Sequence, residues 1–473
     1  MTRRAIVLYA PHTTVQAECD VPLIRGIGVR SATLLVITNV IGSAIFLTPG
    51  TMAATLPSES LLLVAWAAGG IIALCGGLTY AEMGAMYPRS GGLYVFLEEA
   101  YGSLVAFLFG WTSMLVILTG SLATVAVGFA KYFSYFVPAL STTNTIVAIS
   151  MPWGSWSISA GQIVAAVSIL ALGGVNYFGV RSGNRLQVVL TTLKVAALAA
   201  LPIVALALHP VTPSFAPLIP SIERPAAAFG IVMIAVMWAY EGWYYLPFCG
   251  GEIADARRAV PTALVLGILS LIAIYMAVNV AYMLALPLSG IVGVERIAEK
   301  AVTALVGHGG AAIVAATVVV STLGCNAAAV IATSRACYAM ACDGLFFESA
   351  AAVHPVHHTP HVAIAMTCVW AALLTLTGTY EQLFTWVTFA SVAFGVLGGV
   401  AIFRLRRLKP DAERPYRAWG YPAVPALFVL GLGALVINTI VEKPTESLIG
   451  TGIVALGVPA FWYWRSKEAK ERA

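Results

Sequence analysis

Ile41-Gly42-Ser43-Ala44-Ile45-Phe46 interrupts an apolar stretch that runs from about residue 27 to about residue 54. A stretch of that length reads as a membrane-spanning helix. Gly42 and Ser43 weaken it at its centre, where lipid demands that every backbone group be paired. Non-helical backbone at that depth is tolerated only where protein buries it or water reaches it. The broken span therefore proposes a site, in which freed N–H groups hold the carboxylate of a small solute.

The rest of the chain supports a membrane setting. Of its 473 residues, 60% are hydrophobic and 10% charged, and the mean hydropathy is +0.89. A soluble protein of this size needs a charged surface that this composition does not supply. The first apolar run follows about 25 polar or mixed residues and lacks a small-residue cleavage pattern, so it reads as a retained span, not a signal peptide. The net charge of +5 is no nucleic-acid signal, because the basic residues are dispersed among loops. The seven cysteines, Cys19, Cys75, Cys249, Cys325, Cys337, Cys342 and Cys368, form no C-x-x-C pair and read as packing residues without a disulfide framework.

Apolar periodicity places twelve spans, roughly at 28–55, 61–82, 103–136, 158–176, 186–208, 226–252, 260–286, 311–340, 361–378, 383–404, 422–441 and 447–464. The loop charges agree with that count. With the N-terminus inside, the cytoplasmic segments hold 20 of the 26 basic residues, from Arg3, Arg4, Arg25 and Arg30 to Arg465, Lys467, Lys470 and Arg472. The outer side holds Arg224, Arg296, Lys300 and Lys443, with Lys131 near the outer end of the third span. This positive-inside bias puts both termini in the cytoplasm of a multi-pass cell-membrane protein. The chain divides into a cytoplasmic segment (1–27), a ten-helix core (28–405), a linker with helices 11 and 12 (406–465) and a short tail (466–473).

A second interruption, Trp238-Ala239-Tyr240-Glu241-Gly242-Trp243, lies between two apolar halves of the sixth span. It falls five spans after the first break, an odd number, so the two halves enter from opposite sides. Matched interruptions in two inverted halves point to a transporter binding site. The competing reading is that each glycine only permits close helix packing.

Two ionisable residues lie deep within spans. Glu241 is the deep acid among 21 acidic residues, and Lys194 is the clearly buried base. An ionisable group at such depth costs ~2.5–3.5 kcal/mol or more and normally faces a cavity or a partner. Lys194 either occupies a cation site permanently, releases a proton, or sends its ammonium to the interface along an apolar stem. Glu241 either orients substrate, exchanges a proton, or pairs with polar backbone freed by the break. Trp238, beside the break, suits a lid over a small site. His354, His357, His358 and His361 cluster around Pro355 and Pro360, with no carboxylate or thiolate to complete a tetrahedral metal set.

The segment Ile41 to Phe46 resembles the G-S-G-I-F signature of amino acid transporters in the amino acid–polyamine–organocation (APC) superfamily. Further segments agree: Tyr80-Ala81-Glu82-Met83 with Pro88 to Tyr94, Tyr101-Gly102-Ser103-Leu104 with Gly110-Trp111, and Asn176 to Arg181 leading to Lys194. Trp238 to Trp243 with Glu252 and Pro261, and Met340 to Phe346 with His354-Pro355 and Thr359-Pro360, extend the likeness over most of residues 28–405. Within the superfamily it points to the L-amino acid transporter family and its bacterial relatives. The resemblance implies an all-α polytopic fold of twelve transmembrane helices, a five-plus-five inverted repeat with helices 1 and 6 discontinuous, and two C-terminal helices. It implies that N–H groups around Ser43, Ala44 and Ile45 bind the substrate carboxylate, beside Gly42. Carbonyls at Ile41 and along Trp238, Ala239, Glu241 and Gly242 would take the substrate amino group, with Trp238 as the gate. Lys194 maps to the position where sodium-coupled relatives bind sodium, Tyr275 lies near that network, and Ser321 and Thr322 map to the eighth-helix polar run. Ala44 stands where the family usually has a second glycine, and Glu241 where animal members often have a small residue.

These readings predict a sodium-independent L-amino acid transporter, an exchanger or facilitator, with no cofactor and no metal. Proton-coupled symport through Lys194 or Glu241 is the alternative, followed by a sensor that binds without turnover. No HExxH or GxSxG motif and no pair of aspartates occurs within the spans, which argues against an enzyme. The expected partners are small-molecule substrate and lipid; nothing in the sequence identifies an accessory subunit.

Overall fold

The computed structural model describes residues 26–151, 154–178, 183–208, 210–215, 222–357 and 359–471. Nearly all of the expected N-terminal segment and the last residues of the tail lie outside them, as do Cys19, Arg181 and His358.

The first span is two helices, Val29–Val40 (α1) and Ala44–Thr55 (α2), bent by 41° at the break. Glu59–Met86 (α3) and a short helix Leu93–Tyr101 (α4) follow. Ser103–Phe133 (α5) runs unbroken apart from one wide turn of π-helix at Ser113–Ile117. There Thr119 Oγ1 donates to the carbonyl of Met114, five residues back. Two antiparallel strands come next, Thr145–Met151 (β1) and Gly154–Ser159 (β2), with Ala148 opposite Ser157.

The chain continues as Ala160–Tyr177 (α6), Gly183–Leu208 (α7) and Pro225–Ala239 (α8). A 3₁₀ segment, Trp243–Glu252, completes the sixth span after the interruption. Then come Ala256–Ala285 (α9), Ile297–Val306 (α10), His308–Cys342 (α11), His361–Thr375 (α12) and Tyr380–Leu408 (α13). Ala423–Glu442 (α14) and Pro444–Glu471 (α15) end the described chain.

Among the described residues, ten helices are long and apolar enough to cross a membrane, or eleven if α1 and α2 make one span. The expected twelve exceeds this by one. The difference is α12, whose 15 residues extend about 22 Å at 1.5 Å per residue, short of a ~30 Å hydrocarbon core. The hairpin departs from expectation too. Ser159 starts α6 with a capping box, its side chain accepting from the N–H of Gln162 while Gln162 Oε1 accepts from the N–H of Ser159. Trp156 Nε1 donates to the carbonyl of Leu376 at 3.0 Å and pins the hairpin to the end of α12.

The broken helices stand inside the others. α1 packs on α9 and on the 3₁₀ segment, α2 on α8, and α5 on α11 and α13. Burial separates centre from rim: the apolar window of α5 is 94% buried within the protein, that of α7 only 22%. At the end where α3 and α13 finish, Glu82 is fully buried. It accepts from Arg406 Nε and Nη2 at 3.0 and 2.6 Å and from the N–H of Ala418 at 2.6 Å. Cys75, Cys249, Cys325, Cys337 and Cys368 are free and buried, as packing residues should be. Cys342 departs from that reading: it is disulfide-bonded. It sits half-buried at the last turn of α11, against the edge of the apolar core.

Candidate functional site

The first break forms because Ile41 leaves helical geometry (φ −75°, ψ 83°) after Val40. Gly42 then turns back, its N–H bonding the carbonyl of Val40 at 2.8 Å. Helix α2 restarts at Ala44 with Ser43 as its cap residue. The leading N–H groups of a helix have no acceptor within it, and they carry the positive end of its dipole. The second break follows Ala239. Gly242 has φ 109°, and a Cβ there would lie 2.8 Å from the carbonyl oxygen of Asn39. Glycine is thus required twice at this position, for its backbone conformation and for the approach of the two breaks.

One tyrosine joins the breaks. Tyr275 of α9, fully buried, shares its hydroxyl proton between the carbonyls of Val40 at 3.2 Å and Ala239 at 3.0 Å. Lys194 of α7, 2% exposed, donates to the carbonyls of Thr38 at 3.0 Å and Ile41 at 2.9 Å. An ammonium on the terminal carbonyls of α1 opposes the negative end of that helix dipole. Tyr282 donates to the carbonyl of Ile45 at 3.2 Å and Tyr132 to that of Phe46 at 2.9 Å. Side chains of α7 and α9 therefore hold the carbonyls at the breaks, while Tyr282 reaches the Ile45 carbonyl that Pro49, lacking an N–H, leaves unpaired within α2.

Between the breaks lies a small cavity. Gly42, Ser43 and Ala44 form one wall and Trp238 and Glu241 another, with Ser121, Tyr245 and Asn326 completing it. Tyr244 donates its hydroxyl hydrogen to Glu241 Oε1, and Ser391 Oγ donates to Oε2 at 3.2 Å. Tyr380 Oη lies 3.0 Å from Ser43 Oγ and accepts from Trp238 Nε1 at 3.1 Å.

Of the residues named from sequence, Gly42, Ser43, Ala44, Trp238 and Glu241 line the cavity. Ile41, Ile45, Ala239 and Gly242 stand one layer behind, the carbonyls of the first three already accepting from Lys194, Tyr282 and Tyr275. Ser321 and Thr322 are buried on α11 away from the cavity wall, and Thr322 Oγ1 donates to its own helix at Val318 and Val319. His354, His357 and His361 form a ring cluster on Tyr177, and His354 Nδ1 accepts from the N–H groups of Val356 and His357; His358 lies outside the described residues.

Sequence reading overlooked Asn39, Asn326, Tyr380 and Ser391. Asn39 and Asn326 carried a usable signal, a lone amide deep within an apolar span. Tyr380 did not, since an aromatic at a span end reads as an interfacial anchor.

A many-spanning helical chain with two facing helix breaks around a shared cavity defines a membrane permease for a small solute. The chain belongs to the amino acid permease family, whose model matches residues 27–460. It is 30% identical over 459 residues to the serine/threonine exchanger SteT of Bacillus subtilis, covering 95% of this chain and 99% of that one. It is 28% identical over 461 residues to the mouse Asc-type amino acid transporter 1, covering 94% and 83%. With the mouse large neutral amino acids transporter small subunit 2, it shares 29% identity over 471 residues, covering 96% and 85%.

Proposed function

We propose that this permease carries L-amino acids without sodium, as an exchanger or facilitator, by alternating access to the cavity between the breaks. The observation that carries this reading is the exposure of the head of α2, at Ser43 and Ala44, to the same cavity as Trp238 and Glu241. The first wall suits a carboxylate, through N–H groups and the helix dipole; the second, through the carboxylate of Glu241, suits an ammonium. A zwitterion pays heavily to enter hydrocarbon, and this arrangement replaces its water shell group by group. The ten-helix core (28–405), with its inverted five-plus-five repeat, supplies the moving parts.

Sodium independence rests on Lys194, whose ammonium already occupies the carbonyls of Thr38 and Ile41 as a cation would. Counterflow of serine and threonine, then of the other common amino acids, into proteoliposomes tests the reading. Equal uptake in sodium and in choline is expected; loss of uptake in choline would overturn the sodium-independent part. Proton-coupled symport is a second reading, favoured by Lys194 bonding to neutral carbonyls. Uptake driven by an imposed pH gradient into vesicles that contain no amino acid would select it.

A further inference from the structure

Three contacts step along α13. At its start Glu381 Oε1 accepts from Thr51 Oγ1 of α2 at 3.2 Å. Tyr380 meets Ser43 and Trp238 at 3.0 and 3.1 Å. Eleven residues on, about 16 Å at 1.5 Å per residue, Ser391 meets Glu241. The cavity lies between the last two levels, so Tyr380 roofs it on the side towards Thr55 and the Glu241–Ser391 pair floors it.

The roof turns on one hydroxyl. An indole N–H only donates, so the phenol oxygen accepts from Trp238 and keeps its own proton for Ser43. That single group ties the head of α2, the end of α8 and the start of α13. The ring has two close neighbours: Phe384 packs edge-on with centroids 5.7 Å apart, and Lys131 Nζ lies 5.7 Å from its centroid. Lys131 is itself paired with Glu295 at 3.4 Å. Phe384 also stacks on Trp238, at 6.3 Å and 14° between planes. Tyr380 is 3% exposed.

We propose that Tyr380 is the latch of the gate on the Thr55 side, holding the cavity shut by bonding Ser43 and Trp238 together across α13. The proposal rests on reading this cavity as the transport site. Its logic is the reversibility of the bonds. Each hydroxyl contact exchanges with water at a small net cost, so both break when the elements separate and re-form when they close. Two such bonds of ordinary strength bias the closed state by on the order of tenfold. Tyr275 is the contrasting case: its hydroxyl holds backbone carbonyls at both breaks, and neither bond involves α13.

Tyr380→Phe keeps the ring, its packing on Phe384 and its place beneath Lys131, and loses both hydrogen bonds. The readout is the rate at which Cys325, which lines the cavity, reacts with a membrane-impermeant methanethiosulfonate added at the Thr55 face of sealed vesicles. Cys325→Ser supplies the background. Labelling about tenfold faster in Tyr380→Phe than in wild type is expected, with a smaller increase in Ser43→Ala, which loses one bond. An equal or slower rate in Tyr380→Phe overturns the latch. If Cys325 reacts in neither protein, half-saturation of counterflow from that face decides. A fall of several-fold in Tyr380→Phe supports the latch and an unchanged value overturns it. The labelling needs no substrate, so it stands or fails independently of whether amino acids are the cargo.

Discussion

At the residue scale, the site depends on side chains that hold backbone in place. Lys194 is the plainest instance, because its two acceptors are the carbonyls of Thr38 and Ile41. Lys194→Met keeps the stem and removes the donor. The two carbonyls then lose buried partners, at a cost of about 1–3 kcal/mol in stability. A lower unfolding temperature in detergent and at least a tenfold loss of counterflow are expected; unchanged values in both would show that the lysine does not hold the break. Glu241 makes the opposite case. Its two oxygens accept from Tyr244 and Ser391, so Glu241→Gln, which keeps the shape, leaves most packing intact. A changed ranking of amino acids in a counterflow screen is expected, and an unchanged ranking would remove Glu241 from selectivity. Both residues were legible in the sequence, because an ionisable group deep in an apolar run stands out. Tyr380 was not, because its significance lies in which two distant residues its hydroxyl meets.

At the element scale, the two breaks are one construction. Gly242 comes so near the carbonyl of Asn39 that a Cβ would lie 2.8 Å from its oxygen, and Tyr275 shares its proton between Val40 and Ala239. Gly242→Ala both strains φ 109° and drives a methyl to 2.8 Å from the Asn39 oxygen. A conformational penalty of about 1–3 kcal/mol adds to the displacement of α1. Loss of counterflow with protein still present in the membrane is the expected outcome; full activity would mean that the breaks move apart without consequence. The breaks were legible as glycines in apolar runs. The element ends were less so. The sequence reading ran the ninth span to residue 378, while α12 stops at Thr375. It also missed the hairpin, because the short β-branched run at Thr145–Met151 sits next to long apolar helices that dominate any periodicity count.

At the scale of the whole molecule, hydropathy identified the spans but could not rank them. The windows of α5 and α7 have nearly the same mean hydropathy, 1.9 and 2.0, yet one is the most enclosed helix and the other lies at the rim. Burial by protein and burial by lipid ask for the same apolar side chains, so only packing separates them. Orientation is a different quantity, carried by charge in the loops. The hairpin β1–β2 carries no Lys or Arg among its described residues. The segment between α13 and α14 holds Lys409, Arg414 and Arg417, and is drawn onto the protein through Ala418 and Arg414, both on Glu82. If the positive-inside bias sets the topology, these two segments face opposite sides of the membrane, with the hairpin outside. A cysteine at Asn144, exposed beside β1, and another at Asp411, exposed in the basic loop, test this directly, each in a background with native cysteines replaced by serine. An impermeant maleimide added to intact cells should label Asn144→Cys and leave Asp411→Cys untouched until the membrane is opened. The reverse pattern would invert the protein, and with it the face on which Tyr380 closes the cavity. Labelling of both in intact cells would mean that an odd number of crossings does not separate them, and the assignment of α12 as the short partner of the other spans would have to change.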